Sequence, residues 1–237
     1  MSNPEILREQ ALREIQELRE QKRHPEVRKD TDIIWIFAGA GTIETPLLPE
    51  EPSWQRYRDS HRDRYAAVLA IMITAKKLGK NPKDITREDF SEHGPMIFYD
   101  GGNLKNKAFE TWVNSHSSKI PREKVKIVYS VKDGNGNHNP IQNTLDNVKS
   151  FPEDLLDGGD SPKRIALVSH AEHFPRIWRY LEKWFPQKDS VRFYTYPVKI
   201  QAEWTKEFER IESEKVEEYS LKEDLAYNPI PHDEGEQ

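Results

Sequence analysis

Ile33-Ile34-Trp35-Ile36-Phe37-Ala38-Gly39-Ala40-Gly41 is a run of five apolar residues that breaks into a small, glycine-bearing turn. A short run that is apolar on both of its faces reads as a strand buried on both sides, as in a parallel sheet covered by helices. Working outward, the pattern recurs at Met96–Tyr99, Val125–Tyr129, Ile165–Val168 and Val191–Tyr194. Amphipathic stretches predict helices near Asp63–Leu78, Lys105–Ser117, Thr144–Ser150 and Phe174–Trp184, with a last one over roughly Ile200–Tyr219. Alternating strands and helices predict an α/β fold, doubly wound, with a mainly parallel sheet of about five strands.

The two ends differ from this middle. From Asn3 to about Lys22, Leu7, Ala11, Ile15 and Leu18 recur at helical spacing behind Pro4, which suits a first-turn position. Such a helix either packs on the flank of the domain or serves self-association or a partner. The expected organisation is an amphipathic helix in residues 1–30, an α/β domain over 31–200, a C-terminal helix packed on it over 201–225, and a disordered polar tail over 226–237.

Composition narrows the chemistry. Of 237 residues none is cysteine, which excludes disulfides, thiolate catalysis and cysteine-type zinc sites. A net charge of −5 argues against broad nucleic-acid binding. No segment approaches the roughly 18 apolar residues of a membrane span, so the expectation is a cytoplasmic protein with no membrane partner.

Ligands of open parallel sheets bind beyond the carboxyl ends of the strands. The first strand runs into Gly39-Ala40-Gly41, the second into Asp100-Gly101-Gly102 and the fourth into Ser169-His170-Ala171-Glu172-His173. The third leads through Asp133–Pro140 to Asn143-Thr144. The first loop is neither a dinucleotide fingerprint, since Glu44 stands where the third glycine belongs, nor a P-loop, since no Gly-Lys-Ser/Thr follows. A tight turn explains Gly39 and Gly41 as well as an anion cradle does. Asp100 stands where a strand-end carboxylate meets a ligand hydroxyl, amine or metal. His170 and His173 have the spacing of two metal ligands, yet a third would have to come from Asp100, Glu44 or His138, and hydrogen bonding is the more ordinary role. Ser169 lacks a Gly-x-Ser-x-Gly elbow, which disfavours a serine hydrolase. Arg64 opens a helix whose Tyr65, Val68, Leu69 and Met72 are expected to face the sheet; Arg64 and Arg176 are either anion-binding groups or solvated arginines.

In order and spacing these segments resemble the YdcF-like family, which includes the ElyC and SanA proteins. The likeness runs over about residues 32–200. It rests on the strand and loop from Ile33 to Gly41, Arg64-Tyr65-Ala66-Ala67-Val68-Leu69, Asp100-Gly101-Gly102, Glu110, Asn143-Thr144-Leu145-Asp146-Asn147, and Val168-Ser169-His170-Ala171-Glu172-His173-Phe174-Pro175-Arg176. Asp100 stands in place of the usual serine, Asp146 in place of glutamate, and Ser169-His170 where Thr-Ser is common. The resemblance implies a Rossmann-like α/β/α sandwich and a site made of Gly39, Gly41, Arg64, Asp100, Gly101, Gly102, Glu110, Asn143, Thr144, Asn147, Ser169, His173 and Arg176. It also implies S-adenosylmethionine as one candidate cofactor, while no metal is expected. The expected function is binding, and conceivably transformation, of an anionic or nucleotide-like small molecule, with His173 and Asp100 as the candidate catalytic groups. The alternative is a non-catalytic scaffold that uses its charged terminal helices for a partner or for homo-oligomerisation.

Overall fold

The computed structural model describes residues 4–20, 26–37, 54–101, 103–115, 119–157, 161–185, 188–198 and 202–230. Gly39, Gly41 and Gly102 lie outside them.

Five strands form one parallel sheet. They are β1 (Ile33–Ile36), β2 (Met96–Tyr99), β3 (Val125–Ile127), β6 (Lys163–His170) and β7 (Val191–Val198), ordered β3-β2-β1-β6-β7. The chain winds outward from β1 through β2 to β3, then returns across β1 to build β6 and β7. Reversing the winding direction also reverses the face on which the connecting helices lie, since parallel crossovers keep one hand. Accordingly α2 (Trp54–Leu78), α3 (Arg87–His93) and α4 (Asn103–Val113) cover one face. The other carries α1 (Pro4–Glu20), α5 (Thr144–Lys149), α6 (Phe174–Trp184) and α7 (Ala202–Leu221). This is a Rossmann-like arrangement, and its strand order reverses between β1 and β6.

Strand β1 shows why apolar residues fill every position. Ile34 and Ile36 join the core under α2, while Trp35 and Phe37 join the core under α6, and all four are buried. Trp35 is stacked on Phe37 at 4.4 Å and tilted against Phe151 at 4.7 Å between ring centroids.

Helix α2 corrects half of one expectation. Leu69 is buried and Tyr65 packs against the same core, but Val68 and Met72 are 55% and 39% exposed, and the buried face is completed by Ala66, Ala70, Ile73 and Thr74. Small residues on that face bring the helix backbone close to the sheet, and the bulkier stripe turns to solvent. The stretch from Asp84 to Pro95, where the sequence predicts no helix, contains α3, whose start is a capping box between Thr86 and Asp89. Its C-terminal Gly94 is required for space: a Cβ there would come within 2.6 Å of Phe90 O and of the Phe90 ring. Gly94→Ala is therefore expected to lower stability by about 1–3 kcal/mol, measured as a shift of the urea midpoint at unchanged slope. The polar loop after β3 is likewise structured. Strands β4 (Ser130–Lys132) and β5 (His138–Pro140) pair antiparallel, and Asp133 accepts hydrogen bonds from the main-chain amides of Asn135 and Asn137.

The terminal helices belong to the core. Leu7, Ala11, Ile15 and Leu18 are buried, and α1 packs on both α7 and α6. The apolar stripe read from the sequence therefore serves the chain's own packing. Three ion pairs fasten these helices to the β6–α6 segment. Arg19 donates to Glu172 from both Nε and Nη2 (2.8 and 2.7 Å), Arg179 makes a two-pronged pair with Glu14 (2.8 and 2.9 Å), and Arg176 meets Glu212 (3.0 and 2.8 Å). Order continues past residue 225, into the stretch expected to be disordered. Ile230 is buried, its amide donates to Trp178 O, and the Ala226 amide donates to Arg179 O. An apolar residue flanked by Pro229 and Pro231 has a core position to fill there. Among the described residues no helix is long and apolar enough to cross a membrane.

Candidate functional site

The carboxyl ends of β1, β2 and β6 carry a group of buried polar side chains, and α5 is the piece that ties them together. Asn143 caps α5 by accepting from the Asp146 amide at 3.0 Å. Beyond the cap, Thr144, Asn147 and Ser150 recur every three residues, so all three lie on one side of the helix turn. They reach two residues, His173 and Asp100. Thr144 Oγ1 is 2.9 Å from His173 Nε2, Asn147 Nδ2 donates to Asp100 O at 2.6 Å, and Ser150 Oγ donates to Asp100 Oδ2 at 3.2 Å.

His173 follows β6 in a short 3-10 turn and is 4% exposed. Ser169 Oγ lies 3.0 Å from its Nδ1, so both ring nitrogens are engaged by hydroxyls. A neutral imidazole has one donor and one acceptor nitrogen, so one hydroxyl donates to the ring while the other accepts from it. Burial holds the imidazole well below its ordinary pKa, and the neighbouring Arg176 and Arg62 charges push the same way. Ser169 thus faces the histidine four residues on, not His170 beside it.

Asp100 ends β2 and is fully buried. Trp35 Nε1 donates to its Oδ2 at 3.3 Å, and Ser150 donates to the same oxygen. Burial raises its pKa to about 8 against the opposing effect of these hydrogen bonds, so the group is predominantly a neutral acid at pH 7. Gly101, next in the chain, is buried as well.

The remaining residues singled out in the sequence fall elsewhere. Arg64 is exposed on α2, and the arginine at the strand edge is Arg62, which is 1% exposed and donates to Phe37 O at the end of β1. Arg176 is buried and pairs with Glu212 of α7. Glu110 forms a separate, more exposed group, 3.2 Å from Arg122 and accepting from Tyr129 Oη at 2.9 Å. Asn143 is exposed and serves as the cap. Asp100, Thr144, Asn147, Ser169 and His173 are the predicted residues that hydrogen bonds join through α5. Arg62, Ser150 and Trp35 were not predicted; the three-residue recurrence of Thr144, Asn147 and Ser150 was the available signal for one of them. Among the described residues no group of three or more His, Asp or Glu side chains has the arrangement of a metal site.

No family model matches the chain, and no curated protein or solved structure matches it either.

Proposed function

We propose that this chain binds an anionic or nucleotide-like small molecule at the carboxyl edge of its sheet, where the strand order reverses between β1 and β6. The observation that carries this reading is the concentration there of buried polar side chains (Arg62, Ser169, His173, Thr144) beside the neutral acid Asp100. Polar groups are costly to bury, and in open α/β sheets this edge is where ligands bind. Arg62, with the planar five-donor fork of every guanidinium, is the residue suited to a phosphate or carboxylate.

Catalysis, on this reading, falls to the pair whose environments displace them in opposite directions. Asp100 retains its proton into the alkaline range and can donate it; His173 stays unprotonated and can accept one. The YdcF-like resemblance gives the same two residues and adds S-adenosylmethionine to the ligands worth testing. Burial of the α1 stripe within the chain favours this pocket-based reading over a scaffold working through its terminal helices.

A thermal-shift series with inorganic phosphate, AMP and S-adenosylmethionine tests the proposal. A ligand at about 100 times its Kd adds roughly 2.7 kcal/mol of stability, which is a shift of several degrees. Arg62→Lys, which keeps the charge but loses the fork, should weaken the hit by about tenfold or more while the circular dichroism spectrum is retained. A series that stays flat with every anion, or a hit indifferent to Arg62→Lys, would remove the reading.

A further inference from the structure

Among the described residues, three buried side-chain oxygens at one corner of the sheet have no hydrogen-bond partner: Asp100 Oδ1, Asn106 Oδ1 and Asn147 Oδ1. All three residues are 1% exposed or less. Their connections place all three residues at the carboxyl end of β2, with α4 reaching it from one face of the sheet and α5 from the other. Asn147 donates to Asp100 O, Asn106 Nδ2 donates to Val128 O at 2.9 Å, and the Val128 amide donates to Tyr99 O, the residue before Asp100. The corner is therefore the carboxyl end of β2 and β3, with one orphan oxygen each from the end of β2, from α4 and from α5.

The orientation of both amides is fixed by this chemistry. Rotating either by a half-turn would set its oxygen against a main-chain carbonyl oxygen, so the Nδ2 must face that carbonyl and the Oδ1 is the atom left over. Asp100 Oδ1 is unmatched too, because Trp35 and Ser150 both donate to Oδ2, and it is the oxygen that carries the proton when the acid is neutral. One unsatisfied buried acceptor costs about 1–3 kcal/mol, and native proteins keep few of them. Here three fall within one hydrogen-bonded path.

We infer that this corner is a second subsite, which takes the hydrogen-bond-donor end of the ligand, an ammonium group or neighbouring hydroxyls. The inference rests on the binding reading above and extends it. An anionic end lies at Arg62 beside β1, and a donor-bearing end lies at Asp100, Asn106 and Asn147 beside β2 and β3. Asn oxygens can only accept, which selects donors. Asp100 can accept as a carboxylate from an ammonium or exchange donor and acceptor roles with a hydroxyl, so it suits either kind of donor.

Matched probes separate the two subsites. Propyl phosphate, glycerol 3-phosphate and O-phosphoethanolamine share the anion and differ in donors; ethanolamine and ethylene glycol carry donors without the anion. Calorimetric titration of the full chain should show glycerol 3-phosphate or O-phosphoethanolamine binding about tenfold more tightly than propyl phosphate, the contribution of one well-made hydrogen bond. Whichever of the two gains identifies the donor as hydroxyl or ammonium. That advantage should fall below about twofold in Asn106→Leu, with Asp100→Asn as the milder variant if the first does not fold. Equal affinity for all three phosphates overturns the donor subsite and leaves the anion subsite standing. Melting-temperature gains with ethanolamine or ethylene glycol that vanish in Asn106→Leu, with no binding of any phosphate, support the donor subsite and overturn the anion reading. No response to any of the five probes overturns both.

Discussion

Glu14→Ala should destabilise the protein by about 3–5 kcal/mol, the cost of leaving a buried charge without its partner. The Arg179 side chain is 0% exposed, and its two terminal nitrogens both reach the Glu14 carboxylate. Its remaining described acceptor is Pro175 O, which offsets no charge. The loss is to be read from urea midpoints at unchanged slope. The double variant Glu14→Leu with Arg179→Met should recover most of it, because removing both charges leaves neither stranded. Loss of less than about 1 kcal/mol in Glu14→Ala would mean that the pair behaves as a solvated surface bridge and that α1 is held by its apolar stripe and the Arg19 ion pairs.

The second large effect concerns Asp100 and depends on pH. The folded chain keeps this proton to about pH 8, whereas the unfolded chain loses it near the ordinary value of 3.8. Between those values the unfolded state sheds a proton that the folded state retains, so stability falls as pH rises. Each unit of displacement corresponds to about 1.4 kcal/mol, which puts the full effect at about 6 kcal/mol at most. Asp100→Asn, which is neutral at every pH and can still accept from Trp35 and Ser150, should match the wild type near pH 4 and exceed its stability progressively up to pH 8. A stability difference that does not change with pH would show that Asp100 ionises normally and is no candidate for a proton donor at neutrality.

The sheet was legible because its strands are apolar on both faces, a pattern that helices do not share over so short a length. All five predicted strands overlap observed ones, and the predicted α6 agrees with the observed Phe174–Trp184. The face of α2 was not legible, and its misreading also displaced a site residue. Residues two apart on a helix lie about 200° apart, so taking Arg64 as the arginine of the ligand edge passed over Arg62, which lies on the buried side with Tyr65 and Leu69. Hydrophobicity favours valine and methionine over alanine, but close approach to a sheet favours the alanines. That spatial requirement is invisible until the sheet is in place. The site was half legible for a similar reason. Asp100 and His173 could be placed at strand ends from topology, whereas the bonds that make α5 their common support depend on two segments that meet only after the chain has returned across β1. Helix α3 is a plainer omission, since Thr86 and Asp89 carry its start signal in the sequence.

The attachment of α1 has a consequence for how the molecule is made. Arg19 and its partner Glu172 are 153 positions apart, and Arg8 and Glu217 are 209 apart. Helix α1 therefore has to wait for α7, which is synthesised much later. Throughout that interval the stripe of Leu7, Ala11, Ile15 and Leu18 has nothing native to cover it. At about 5–20 residues per second, synthesis of the intervening chain takes on the order of ten seconds or more. Closure of the native core is thus a late, long-range event, which on topological grounds makes for slow folding. The nascent chain is most open to aggregation or chaperone capture in the segment that, once folded, is among its most firmly tied.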